Sequence, residues 1–168
     1  MSTEEQTQNN ATGAWETDHL WRAGQELTIP DREVTKLAFL LGRSGTLVGD
    51  VTFTIRRESD DGIIASKVWG AFNALPTTPD WCEVTFDSPV TINELVRILS
   101  EWSGGSAGNN MDDRYQNTDV KADEFRVYCM DGGWADYLTF DEVYRYTYNG
   151  VQPAVSGGLA NLVAAGII

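Results

Sequence analysis

The sequence is poor in the side chains that most catalytic and nucleic-acid-binding sites use. It holds one histidine, two cysteines and 12 basic residues against 25 acidic residues, so its formal net charge is −13. A nucleic-acid surface needs clustered Lys and Arg to neutralise phosphates, so this charge balance argues against such a partner. His19 lies in no serine or cysteine nucleophile motif, and GxSxG, P-loop and HExxH motifs are absent. We therefore expect a protein that is not an enzyme.

Long apolar runs are also missing. No run reaches the roughly 18 residues that a membrane-spanning helix needs, so no membrane span is predicted. The first ten residues are polar and acidic and lack the apolar core of a secretory signal. We therefore expect synthesis in the cytoplasm, as for virion proteins, or earlier processing. Because the strong negative charge makes identical copies repel one another, any assembly needs buried apolar contact or bound cations.

The two cysteines, Cys82 and Cys129, form no metal-binding motif. Both fall in segments with a strand pattern, where facing positions can bring two thiols within disulfide distance. Two buried free thiols are the favoured interpretation, because free cysteine is among the most frequently buried residues. A single disulfide remains the alternative.

The chain divides into three parts by composition. Residues 1–14 are rich in Ser, Thr, Gln, Asn and Glu, and they predict a disordered N-terminal arm unless a neighbouring subunit orders it. Residues 15–150 contain the strand patterns and form the body. Residues 151–168 carry no charge and form an apolar C-terminal arm.

The body has the period-two alternation of half-buried strands in an antiparallel sheet. An apolar run and four alternating runs lie at 35–43, 45–59, 81–89, 124–133 and 142–150. Turn-forming residues separate them at 44–45, 60–62, 76–80, 103–110 and 131–133. About eight short strands with this spacing predict an all-β, two-sheet sandwich or jelly roll. Residues 91–102 also show helical spacing, although a strand is favoured for their second half.

Several segments in order resemble a recurrent prokaryotic jelly-roll module. TKLAFLLGRSGTLVGDVTFTIR is similar to the hTKVxLxLxRxGxxGxLxVxIR hairpin of that module, and LPTTPDWCEVTFDSPV to its LPTxPxWxxFxFxxPV stretch. YCMDGGWADY and FDEVYRYTYNG are similar to its YxxxGGxxW segment and closing strand. The resemblance covers residues 19–150, but NELVRILSEW stands where the module has a GTxYAIVV strand. It implies a jelly roll of the kind found in bacteriophage structural proteins and bacterial or archaeal surface and filament proteins.

An acidic stretch at 109–124 is a candidate calcium site. Calcium takes six to eight oxygen ligands, which a loop of Asp, Asn and main-chain carbonyls supplies. The candidate ligands are Asp112, Asp113, Asp119 and Asp123. The alternative, which is favoured, is a solvated acidic loop.

Paired carboxylates at 60–61 and 112–113 also suggest glycoside hydrolysis as an activity. That reaction needs two carboxyl groups at a set distance across a cleft, and adjacency in sequence does not provide this spacing.

Six tryptophans are numerous for 168 residues. Exposed indole rings on a sandwich can stack on sugars, so Trp69, Trp102 and Trp134 are candidate carbohydrate contacts. Burial in the core or at a subunit contact is the favoured alternative, because each indole buries a large apolar area.

The C-terminal arm is the most informative functional segment. Pro153 ends the preceding strand, and residues 156–158 form a flexible Ser-Gly-Gly joint. The apolar candidates for assembly contacts are Val155, Leu159, Leu162, Val163, Ile167 and Ile168. Soluble monomers avoid exposing such a segment. It therefore either folds back on its own domain or docks on a neighbour, for example by adding a strand to an open sheet edge.

These patterns together predict a self-associating structural subunit that uses residues 1–14 and 151–168 to contact copies of itself or a capsid, tail or filament lattice. The expected location is a virion, as a decoration, fibre or tail component, or an extracellular filament or cell surface. The alternative is an adhesive carbohydrate-binding module that recognises glycans. No cofactor is expected, apart from the candidate calcium ion.

Overall fold

A computed structural model describes residues 1–16, 20–46, 48–103 and 109–150 of the chain. The described residues form an all-β, antiparallel structure with one short 3-10 turn at Phe72–Ala74. None of them forms a helix long and apolar enough to cross a membrane. The strands are β1 Ser2–Gln6, β2 Ala11–Glu16, β3 Leu20–Ser44, β4 Asp50–Arg57, β5 Ile63–Ala71, β6 Asp80–Ser103, β7 Asn110–Gln116, β8 Phe125–Met130, β9 Gly133–Tyr137, β10 Asp141–Glu142 and β11 Tyr144–Gly150.

Two long strands, β3 and β6, pair with each other along most of their length. Their register shifts twice, once at Pro30 and Asp31 and once where Thr35 faces residues 86–89. Pro30 has no N–H to donate, and Asp31 has a φ of 42° that does not continue a strand. Irregularities of this kind bend a strand and increase its twist, so the sheet curves at these two points.

The remaining strands attach to this pair. β3 binds β8 along its first part, β11 in the middle and β7 at its end, while β6 binds β4, which binds β5. The longest path through the sheet is β1-β11-β3-β6-β4-β5, and hydrogen bonds connect all eleven described strands. The all-β, antiparallel prediction is confirmed.

The core lies on one face of the sheet, where the alternate residues of several strands are buried. Alternate residues Val51, Phe53 and Ile55 of β4 are all fully buried, as their period-two pattern predicted. Phe53 meets Phe39 of β3 edge to face, with ring centroids 5.1 Å apart. Trp102 stacks on Phe72 at 4.9 Å. Residues from distant parts of the sheet therefore share one hydrophobic cluster.

The helical alternative for residues 91–102 is wrong, because the whole segment belongs to β6. The segment lies between β3 and β4, and from Val96 to Trp102 it pairs with both neighbours. Val96 and Ile98 are buried while Leu95 is 40 % exposed, so burial follows period two and not helical spacing. Two-sided pairing outweighs the local helical pattern.

The prediction of a disordered N-terminal arm is also wrong for residues 2–6 and 11–14, which lie in strands β1 and β2. β1 pairs with β11, and β2 pairs with β7 over six residues. Trp15 on β2 is 9 % exposed and belongs to the core cluster. The polar composition of residues 1–14 misled the prediction, because these strands gain their stability from pairing and from one tryptophan. The C-terminal arm, residues 151–168, lies outside the described residues.

Both cysteines are buried free thiols, as the favoured interpretation predicted. Cys82 lies on the core side of β6, where burial raises the pKa of its thiol to about 12. Cys129 lies on β8 next to Arg22 of β3, outside the core cluster. Because Cys82 belongs to the core cluster and Cys129 lies outside it, the two thiols are apart from each other.

Gly24 provides a test of the contact between β3 and β6. A Cβ at this position would lie 1.9 Å from the Ile98 carbonyl oxygen, and the backbone cannot yield as a flexible side chain does. Gly24→Ala should therefore lower the free energy of unfolding by about 1–3 kcal/mol or more. Gly70→Ala is the matched control, because nothing lies within 4 Å of its Cβ. Urea denaturation of both variants checks the difference, and equal stabilities would contradict the described packing.

Candidate functional site

A buried charged cluster lies where β2, β7, β8 and β10 meet. Arg126 of β8 is 3 % exposed and shares the core face of the sheet with Gln25, its partner on β3. Its Nη2 donates to Asp113 Oδ2 at 2.6 Å, and its Nε donates to Glu142 Oε2 at 2.8 Å. The guanidinium carbon lies 4.4 Å from the Tyr115 ring centroid. Two carboxylates and an aromatic ring therefore surround the buried cation.

The hydrogen bonds of this cluster extend to the backbone. Gln25 Nε2 donates to Asp141 Oδ1 at 2.6 Å, and Gln25 Oε1 accepts from the Glu142 N–H at 2.8 Å. The other Asp141 oxygen accepts from the N–H groups of Val120 and Lys121. Gln25 and Asp141 are fully buried, so these bonds replace the water that folding removes. The network holds the 117–124 loop and β10 against β3.

Glu142 titrates abnormally in this cluster. Burial, followed by the neighbouring Asp113 carboxylate, holds the pKa of Glu142 well above its usual range, although Arg126 acts in the opposite direction. Asp113 and Glu142 are 0 and 1 % exposed, so their carboxylates bind Arg126 and not a substrate. The role of this cluster is therefore structural.

A second set of ion pairs lies on the face of β3, β4 and β6 that is opposite to the core cluster, which we call the outer face. Glu101 of β6 accepts two hydrogen bonds from Arg56, Nε at 2.6 Å and Nη2 at 3.2 Å, and one from Thr54 at 2.5 Å. Arg22 binds Asp61, in the loop between β4 and β5, at 2.7 Å. Ion pairs thus tie that loop to the outer face.

A polar groove of about 210 Å³ opens beside these ion pairs. Asp50, Thr52 and Ser66 carry polar groups that make no hydrogen bond to another described residue. The groove is smaller than the roughly 300–1,000 Å³ of sites that enclose drug-sized ligands, so it suits a single small ring. Its lining residues are Asp50, Thr52, Thr54, Arg56, Ile63, Ser66, Glu101 and Trp102.

Strand β5 forms one wall of the groove and one edge of the sheet. Among the described residues it pairs only with β4, so its other side presents unpaired N–H and C=O groups. Ile63 and Val68 are each 54 % exposed at this edge. Lys67 forms an ion pair of 2.5 Å with Asp87 from the bend of β6. The edge is therefore long and partly apolar, and it holds a single charge.

The structure separates the three tryptophans that were candidate sugar contacts. Trp102 is 1 % exposed and stacks on Phe72, so its indole ring is largely covered by the fold. Trp69 is half-buried and packs against the core. Trp134 is half-buried on β9, with the guanidinium of Arg97 4.3 Å from its ring centroid. The favoured alternative, burial, holds for Trp102.

The four candidate calcium ligands do not converge. Asp112 and Asp113 are consecutive residues of β7 and point to opposite faces, and Asp113 binds Arg126. Asp119 and Asp123 are exposed in the following loop. In the part of the chain that the structure describes, no group of three or more acidic, histidine or cysteine side chains has a metal-binding arrangement. Calcium binding thus has no geometric support at these positions.

Sequence reasoning missed the residues that matter most for the outer face. The segment 63–71 was not recognised as a strand, because its apolar residues do not alternate strictly. The one feature of the sequence that set this segment apart is that it contains no Asp or Glu, although the chain is strongly acidic. The six candidate assembly residues between Val155 and Ile168 lie outside the described residues, so their role stays a prediction.

Comparison with known proteins adds no family assignment. No protein-family model matches the chain, and no curated protein gives a significant match. The resemblance to the jelly-roll module therefore stays a prediction.

The raised pKa of Glu142 predicts a specific dependence of stability on pH. The folded chain holds this proton more tightly than the unfolded chain, whose Glu side chains titrate near 4.5. Stability from this group is thus complete below that pH and is lost as pH rises toward the folded-state pKa. Glu142→Gln should remove this loss, so between pH 5 and pH 8 the variant should lose less free energy of unfolding than the wild type. Urea denaturation across that range measures it, with exposed Glu83→Gln as the control for loss of one charge.

Proposed function

We propose that this protein is a structural subunit that associates with copies of itself through its C-terminal segment. The observation that carries the proposal is the distribution of charge along the chain. The described strands end with β11 at Gly150, which pairs with Arg32 of β3. Every Asp, Glu, Lys and Arg of the chain lies in residues 1–150.

Residues 151–168 have the composition of a contact element. None of the 12 basic and 25 acidic residues lies in 151–168. Burying this segment costs no charge desolvation and gains roughly 25 cal/mol per Å² of apolar surface removed from water. A subunit of net charge −13 needs such an uncharged contact, because its charged surface repels a second copy. The N-terminal residues are paired within the chain, so assembly through the C-terminal segment is the simplest arrangement.

Within this proposal the body is a jelly-roll sandwich in a virion or an extracellular filament. The resemblance of residues 19–150 to the prokaryotic module supports this assignment. The contact of Phe39 with Phe53 across the curved sheet is in keeping with two packed layers. The partners are copies of the same chain or a capsid, tail or filament lattice.

Ending the chain at Gly150 tests the proposed function. Light scattering after gel filtration should find large regular particles for the full chain and single chains for the shortened one, at an unchanged unfolding temperature. Within the full chain, Leu162→Asp should reduce particle size because it adds a charge at an apolar position. Asn161→Asp adds the same charge at a polar position and is the control. A full chain that stays monomeric at all concentrations would overturn the proposal.

Carbohydrate binding is the second candidate function, and the groove of the outer face favours it. Hydroxyl groups of Thr52 and Ser66 lie beside the carboxylates of Asp50 and Glu101 in a space of about 210 Å³. Such donors and acceptors match the hydroxyls of one sugar ring. No described aromatic ring stacks over this groove apart from the buried Trp102, so self-association remains the first proposal.

Titration with oligosaccharides of glucose, galactose, mannose and N-acetylglucosamine tests the second candidate. If the groove binds sugar, Thr52→Val should weaken binding about tenfold, because one lost hydrogen bond costs roughly 1.4 kcal/mol. Thr77→Val at an exposed loop position is the control. The chain ending at Gly150 should bind as tightly as the full chain. Calorimetry without a heat of binding for any member of the panel would exclude this candidate for these sugars.

A further inference from the structure

Five strands in the described residues pair with one neighbouring strand only, and they differ in how well their free edges are protected. One of them, β10, has two residues, both acidic. β1 and β9 have five residues each, and β2 has six. Each of these three contains a carboxylate residue. β5 has nine residues and no carboxylate. Natural sheets protect free edges with short strands and charged side chains. β5 is the longest of the five strands, and its one charged residue is Lys67.

The pairing of β5 with β4 leaves a regular central stretch at this edge. Two irregularities, near Ile64 and Trp69, border residues 65–68, which pair without interruption with residues 52–55. Val68 is 54 % exposed at the end of this stretch. An added strand beside β5 would pair with its free backbone groups and cover this side chain. The edge therefore offers both the hydrogen bonds and the apolar surface that strand addition requires.

Charge also favours this edge as a contact between copies. The 17 residues from Ile63 to Pro79 contain no acidic residue, although the chain holds 25. Lys67 is the only charged residue among them, and it is neutralised by Asp87. Two molecules of charge −13 meet least repulsion where neither the edge nor the approaching segment carries net charge.

From these features we infer that the free edge of β5 accepts the C-terminal residues 159–168 of a second copy as an added strand. This inference rests on the proposed function and names its docking surface. The donor has ten uncharged residues against the nine of β5, and 156–158 provide a flexible joint before it. In an extended chain Leu159, Val163 and Ile167 share one face.

The positions of donor and acceptor determine the form of the assembly. β11, which precedes the donor, and β5 are separated by β3, β6 and β4 in the sheet. Docking on a second copy does not require the donor to pass over these three strands. Because donor and acceptor surfaces differ, the contact is head-to-tail and produces rings or open filaments.

Particle size of edge variants is the first test. Val68→Lys places a charge on the acceptor edge and should reduce the full chain to single chains or short oligomers. Val48→Lys is the matched control, because Val48 is an 80 % exposed valine outside β5. Circular dichroism verifies that both variants are folded. If Val68→Lys assembles like the wild type while the chain ending at Gly150 does not, the acceptor edge is wrong and the proposed function stands.

Disulfide trapping is the second test, and it does not depend on the stability of the lysine variant. Chains with Val68→Cys are mixed with chains carrying Ala160→Cys, Leu162→Cys or Ala164→Cys, and the mixtures are oxidised gently. A cross-linked pair of the two different chains is expected for at least one donor position, and Val48→Cys should yield none. The native Cys82 and Cys129 are 2 and 1 % exposed and do not compete.

Two outcomes of the trapping experiment would overturn the inference. If a chain that carries both cysteines cross-links only within itself, the C-terminal segment docks on its own domain. If no donor position cross-links to residue 68 although particles form, the segment binds elsewhere. A full chain without particles overturns the inference together with the proposed function.

Discussion

The antiparallel pairing of β3 with β6 is the constraint on which the rest of the described fold depends. β11, β7 and β8 attach to β3, while β4 attaches to β6 and carries β5. The pair is long enough to serve all of them because it bends twice without ending, at Pro30 and opposite Thr35. Close approach at Gly24 keeps the two backbones in contact. A straight pair would leave the core residues of β3 and β4 apart, whereas the bends bring Phe39 onto Phe53.

Arg126 shows how the fold incorporates a buried charge. A cation this far from water needs partners of opposite charge, and Asp113 and Glu142 each accept one hydrogen bond from Arg126. The requirement extends to the N-terminal residues, because a Cβ at Gly13 would lie 2.0 Å from Asp113 Oδ1. Only glycine lets β2 close over the ion pair. A segment with the composition of a disordered arm is thus an integral part of the structure.

The proposed assembly follows from a division of charge along the chain. Residues 1–150 carry all the Asp, Glu, Lys and Arg side chains and bury several of them in ion pairs. The long edge of β5 has no carboxylate. Residues 151–168 carry no charge. In the proposed assembly this uncharged donor and the β5 edge associate head-to-tail in spite of the repulsion between whole molecules.

The sequence by itself determined the strand class, because alternation at Val51, Phe53 and Ile55 and the tyrosines of β11 is a local property of the chain. It also determined the Asp131-Gly132 hairpin turn, whose φ values of 50° and 87° suit those two residues. Only the tertiary structure decided that 91–102 is a strand, that residues 2–6 and 11–16 are ordered, that Trp102 is buried and that Asp113 binds Arg126. Each of these features depends on residues that are distant in sequence. Local sequence patterns do not indicate which strands will pair with each other. The free edge of β5 belongs with them, since a strand is an edge only through the position of its neighbours.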